Sequence, residues 1–147
     1  MYFLAKILIT ISTLGFSLIP AMADFNSTHA TNPKWTPHAR FHVVWQVVSF
    51  LAIAWIALGV IWLDPGQFGK AGLWLVVLIA ASVYFGFYSA SFGKPLYGGA
   101  QYDENGYVPF PVNILGAHMM WDINYTVFTV MIAILALGAV LLLNASA

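Results

Sequence analysis

Four long apolar runs, separated by polar stretches of unequal length, organise this chain. They cover residues 2–21, 41–63, 72–91 and 125–143. At a rise of ~1.5 Å per residue, a helix through each run crosses a hydrocarbon core ~30 Å thick. No residue between Ala117 and Tyr125 breaks a helix, so the spacing predicts that the fourth helix starts earlier, at about residue 116. The expected architecture is all-α, an integral membrane antiparallel four-helix bundle forming a single domain, with helices over 2–21, 41–63, 72–91 and 116–143.

The first run has two readings. Lys6, an apolar stretch and Ala21-Met22-Ala23 before Asp24 match a signal peptide with its cleavage site. The run is also longer than the usual signal core, which favours a retained helix. Cleavage would leave a three-helix protein and would not move the candidate site.

Residues 64–70 carry Pro65, Gly66 and Gly69 and suit a tight turn between antiparallel helices. The connections on the opposite side are long: 22–40, and 92–115 with Gly98-Gly99, Asn105-Gly106 and Pro109-x-Pro111. Loops of that length in so short a chain are more often functional than ornamental. Lys6 and Lys70 lie on one side, against Lys34, Arg40 and Lys94 on the other, which opposes a cytoplasmic N-terminus. Signal-like insertion of the first run favours one. Because Lys34 and Arg40 can be engaged within a folded loop, insertion takes precedence. The expectation is a bacterial inner membrane protein with its long loops in the periplasm.

Composition agrees with the hydropathy pattern. The chain is 61% hydrophobic and 7% charged with mean hydropathy +0.84, more apolar surface than a soluble domain of 147 residues can hide. Five basic and five acidic residues cancel, so neither a nucleic-acid partner nor a polybasic lipid site is indicated. The absence of cysteine excludes disulfides, thiolate metal sites and cysteine nucleophiles.

Two pairs carry the candidate chemistry, His38-x3-His42 and His118-x3-Asp122. Each has i, i+4 spacing, which places both members on one helix face. The second and fourth helices run in the same direction, so both pairs belong at one membrane level. Extending the faces inward gives Ser49, Ala52, Ile56 and Gly59 on the second helix, and Thr129, Ala133 and Ala136 on the fourth. Small residues mark seams between membrane helices, so the two pairs are expected to face each other. Three imidazoles and a carboxylate would suit one transition-metal ion, whether zinc, copper, iron or manganese. The same groups could instead move protons, with Asp122 as base, a His as acid, and Arg40 orienting an anionic or carbonyl group. A haem is a weaker alternative, because no second His pair marks the other membrane face.

Purely structural roles compete with these. An aspartate at a helix start is favourable without any function, and Arg40 could neutralise it. His29 reads as a solvated loop histidine. Trp35, Trp45, Trp121 and Tyr107 suit an interfacial aromatic belt. Tyr84, Phe85, Phe87 and Tyr88 suit packing or lipid contact, with an apolar substrate cavity as the alternative.

The stretch Asp24-x-Asn26-x-x-His29-x-x-Asn32-Pro33-x-Trp35-x-Pro37-His38-Ala39-Arg40-Phe41-His42 resembles the signature of a family of small four-helix membrane proteins without an assigned reaction. In that family the polar segment follows a first membrane helix, so the resemblance implies that residues 2–21 are retained. More loosely, the architecture resembles sterol-isomerase-like and DoxX-like proteins. The leading expectation is a small membrane enzyme acting on a lipophilic substrate from the bilayer. Its rival is a non-enzymatic accessory subunit or assembly factor of a larger membrane complex.

Overall fold

A computed structural model describes residues 1–63 and 67–145, so residues 64–66 of the expected turn 64–70 lie outside the described residues. The elements are α1 (Tyr2–Asp24), α2 (Pro37–Trp62), α3 (Gly69–Tyr97), a hairpin of β1 (Phe110–Ile114) and β2 (Ala117–Trp121), and α4 (Ile123–Leu143). All four helices are long and apolar enough to cross a membrane. The protein is therefore an integral membrane, all-α bundle with one small two-stranded ribbon.

Local chemistry fixes the ends. Thr36 caps α2 by accepting the Ala39 amide at 3.2 Å, and Pro37 follows at the first helical position, where its missing N–H costs nothing. That cap starts α2 four residues before the apolar run. Gly98 ends α3 at φ 67°, a left-handed conformation natural to glycine.

The fourth helix departs from expectation. Its first turns are replaced by the hairpin, and α4 begins only at Ile123. The strands meet at Leu115 (φ 51°) and Gly116 (φ 85°), two consecutive left-handed residues that close a two-residue hairpin turn. A leucine in that conformation costs about 1–2 kcal/mol, which is why its turn is not legible as one.

In cross-section the bundle is a rhombus. α1 packs on α2, α3 and α4, while α2 and α4 do not touch among the described residues. Gly15 and Gly138 allow the closest approach of α1 and α4; a Cβ at Gly15 would stand 2.6 Å from the Met131 side chain, and one at Gly138 3.1 Å from Ile9. Mid-membrane, Tyr84 donates its hydroxyl to the Ser12 carbonyl at 2.6 Å. The Ser12 Oγ lies 3.1 Å from the Met131 carbonyl and 3.2 Å from the Tyr84 hydroxyl, so three helices share one polar contact.

The core is uneven along the membrane normal. Ala54, Ala57 and Ile61 of α2, Leu73, Val76, Val77 and Ala80 of α3, and Leu135, Gly138 and Leu142 of α4 are buried in the half nearest the short turn. Towards the long loops the helices separate, and a cavity occupies the space between them.

Candidate functional site

The expected four-residue cluster does not assemble. His38 and His42 form an exposed pair at the start of α2, with Nε2 atoms 3.1 Å apart, so one ring N–H donates to the other. His118 is exposed on β2, paired across the ribbon with Asn113. Asp122 caps α4, accepting the amides of Asn124 at 2.8 Å and Tyr125 at 3.2 Å. Arg40 pairs with no carboxylate among the described residues.

The separation has a definite cause: α2 and α4 occupy opposite corners of the rhombus with α1 between them. The face below His38 and His42 is not a seam either. Ala52 is exposed and Ile56 is 67% exposed, whereas the neighbouring face of Ala54, Ala57 and Ile61 is buried. On α4, Thr129, Ala133 and Ala136 are likewise exposed, and Leu135, Gly138 and Leu142 pack inside. Among the described residues no group of three or more His, Asp or Glu converges as a metal site. The His38–His42 pair supplies two of the four donors a tetrahedral ion takes, so these residues do not fit the expected four-donor site.

A cavity of about 950 Å³ lies instead in the loop-side half of the bundle. Its base is aromatic. Phe50, Phe87 and Phe128 line it and are joined through the buried rings of Phe16 and Tyr84, with centroid distances of 6.2 Å for Phe50–Phe16, 6.2 Å for Phe16–Tyr84, 5.7 Å for Tyr84–Phe128 and 4.0 Å for Phe128–Phe87. Gln46 of α2 and Ser82, Gly86 and Ala90 of α3 line the cavity and are exposed, as are Ile19 and Met22 of α1.

The polar end lies under the two long loops. Asp24, the last residue of α1, reaches the rim, and His29 Nδ1 stands 3.5 Å from Asp24 Oδ1 and 2.7 Å from Thr28 Oγ1. The His29 ring meets Trp35 edge-on at 5.1 Å. Gln101, Tyr102, Asp103, Tyr107 and Asn124 complete this end.

Asparagines shape the first loop. Asn26 accepts the Thr28 amide at 2.8 Å and donates to the Ala23 carbonyl at 2.8 Å. The fully buried Asn32 donates to the Thr28 carbonyl at 2.9 Å and accepts the Lys34 amide at 3.0 Å. These side chains stand in for backbone turns and carry His29 back over Asp24. The second loop is latched to the first: Trp35 Nε1 donates to Asp103 Oδ2 at 3.2 Å, and Lys34 pairs with Glu104. The Asn105 amide and the Trp35 indole, both donating to Asp103, hold its carboxyl below the usual carboxylate range.

His29 and Trp35 thus have roles other than those read from the sequence. The signal was present, since Asn26 and Asn32 bracket His29 in a segment too polar to be helix, but the fold-back that joins His29 to Asp24 is tertiary. Of the late α3 aromatics, Phe87 lines the cavity, Tyr84 lies beneath it, and Phe85 is 73% exposed on the lipid side. No family model, curated protein or solved structure matches the chain.

Proposed function

We propose that this protein is a small membrane enzyme that admits a lipophilic molecule from the bilayer between α2 and α3 and acts on its polar end with Asp24 and His29. One observation carries the reading: a cavity lined by aromatic rings of three membrane helices also holds a carboxylate and an imidazole 3.5 Å apart. Ionisable groups brought together at the end of a largely apolar cavity are the usual mark of a reaction site. His29 is placed to transfer a proton while Asp24 orients it and balances its charge. Thr28 fixes the ring through Nδ1, leaving Nε2 as the working atom.

The loop side is proposed to face the periplasm of a bacterial inner membrane. Lys34 is neutralised by Glu104, which weakens the positive charge that argued against this orientation.

The test is untargeted profiling of membrane lipid extracts incubated with the purified protein, with Asp24→Asn, and with His29→Gln. Conversion of a lipophilic species by the native protein alone supports the proposal. Conversion unchanged in both variants would remove Asp24 and His29 from the chemistry.

A second reading, an accessory subunit of a larger membrane complex, is favoured by the hairpin. Its register puts Phe110, Val112, Ile114, Ala117, Met119 and Trp121 on one face, and most of that face is exposed. Cross-linking from Met119 to a defined membrane partner, together with wild-type behaviour of Asp24→Asn, would favour that reading over the enzyme.

A further inference from the structure

The charges around the cavity select the head of the molecule it takes. Among the described residues its lining contains two carboxylates, Asp24 and Asp103, and one imidazole, His29, and no Lys or Arg. The basic residues nearest to it are committed elsewhere. Lys34 pairs with Glu104, and Lys94 lies 3.5 Å from the Tyr125 hydroxyl and 5.6 Å from its ring centroid. Arg40 does not line the cavity. The lining carboxylates outnumber the lining imidazole two to one, and low-dielectric walls focus the field of ionised carboxylates into the cavity.

The neighbouring groups agree with a cation. Tyr102 and Tyr107 line the same cavity as the carboxylates, and aromatic rings together with carboxylates are the combination that recognises ammonium and quaternary ammonium groups. Gln46 and Asn124 add side-chain amides able to accept from an N–H donor, while the Gln101 oxygen already accepts the Ser91 hydroxyl at 2.9 Å. An anionic head would meet two carboxylates against a single imidazole.

Resting on the cavity reading above, we infer that the cavity binds a cationic amphiphile, an apolar chain or ring system ending in an amine or quaternary ammonium group. The chain lies against Phe50, Phe87 and Phe128 and the head sits between Asp24 and Asp103.

The experiment is saturable binding of radiolabelled decyltrimethylammonium to the full chain in nanodiscs, competed with unlabelled decyltrimethylammonium, decylamine, decanol and decanoate. Decylamine and decyltrimethylammonium separate recognition of a donating ammonium from recognition of charge alone. Both cations are expected to compete at least about tenfold better than decanol, with decanoate weakest of all. Asp24→Asn is expected to reduce that preference, and Gly86→Leu, which narrows the proposed entrance, to remove saturable binding of every probe. Equal competition by cation, alcohol and carboxylate, all lost in Gly86→Leu, would overturn the charge selectivity and leave the cavity reading standing. Absence of saturable binding by every probe would overturn both. The head-group comparison is made on the native chain, so it stands even where a variant fails to fold.

Discussion

His29 reaches back over the end of α1 to place its Nδ1 3.5 Å from an oxygen of Asp24, on a loop turned by Asn26 and Asn32. The pair stands at the polar end of the cavity, whereas His38 and His42 sit on the exposed side of α2. Removing a general acid–base group costs about 100-fold or more in rate, so Asp24→Asn and His29→Gln are each expected to lower turnover by at least that factor. The double variant His38→Ala/His42→Ala is expected to keep its turnover. The assay is product formation from the lipid extract by purified protein.

The Tyr84 hydroxyl reaches the Ser12 carbonyl at 2.6 Å and joins α3 to α1 beneath the cavity. Tyr84→Phe keeps the ring contacts with Phe16 and Phe128 and removes one hydrogen bond. The expected loss is about 1 kcal/mol, read as a lower midpoint of thermal unfolding in detergent. A midpoint equal to the native value would show that the bond adds nothing to stability.

Gly15 faces Met131 so closely that a Cβ would stand 2.6 Å from two of its side-chain atoms. Gly15→Ala is expected to cost about 1–3 kcal/mol through overpacking of α1 against α4. Met131→Ala introduced into Gly15→Ala is expected to recover part of that loss. Unfolding of the single and double variants measures the coupling, and strict additivity would refute the close approach.

The roof of the cavity has a definite pH dependence. The carboxyl of Asp103, held below its usual range by the Asn105 amide and the Trp35 indole, stabilises the roof wherever it is ionised in the folded protein. That contribution is fully present above the unfolded carboxyl value and is lost as pH falls through the lower folded value. Hydrogen exchange of residues 98–109, corrected for its intrinsic pH dependence, is expected to stay slow above the ordinary carboxylate value and to rise as pH falls from there through the lower folded value. In Asp103→Asn that acid-induced step is expected to be absent.

The hairpin carries strain at Leu115, a non-glycine residue at φ 51°. Leu115→Gly and Leu115→Asn relieve it, and both are expected to slow amide exchange across the β1–β2 ladder. Faster exchange in both would contradict the turn assignment.

Much of the architecture is legible in the sequence because lipid demands continuous apolar runs, and four of them exist. The faces of those helices are not legible. Ile56, 67% exposed, and Ile61, 2% exposed, have the same side chain, since a bilayer solvates what a core would otherwise have to bury. Small residues mislead for the same reason: Ala54 and Ala57 pack inside while Ala52 and Ala133 lie outside. The start of α4 was obscured because a Leu-Gly turn lacks the Asn-Gly chemistry of a recognisable hairpin. His29 looked isolated because Asp24, its partner, closes an apolar helix, and only the folded loop brings them together. The polar contact of Ser12 with Tyr84 spans 72 positions and leaves no local sign.

The most direct test of the cavity's role uses Gly86, where a Cβ would meet nothing within 4 Å. Gly86→Leu therefore adds a side chain at a lining position whose Cβ meets no neighbour, to narrow the proposed entrance between α2 and α3. The native protein and this variant are purified from the same membranes in nanodiscs, and their bound small molecules are compared by native mass spectrometry. The expected result is a discrete lipophilic species on the native protein and its loss from a folded Gly86→Leu. The same species at the same occupancy on both would contradict the proposal that this cavity, reached from the bilayer, is where the protein works.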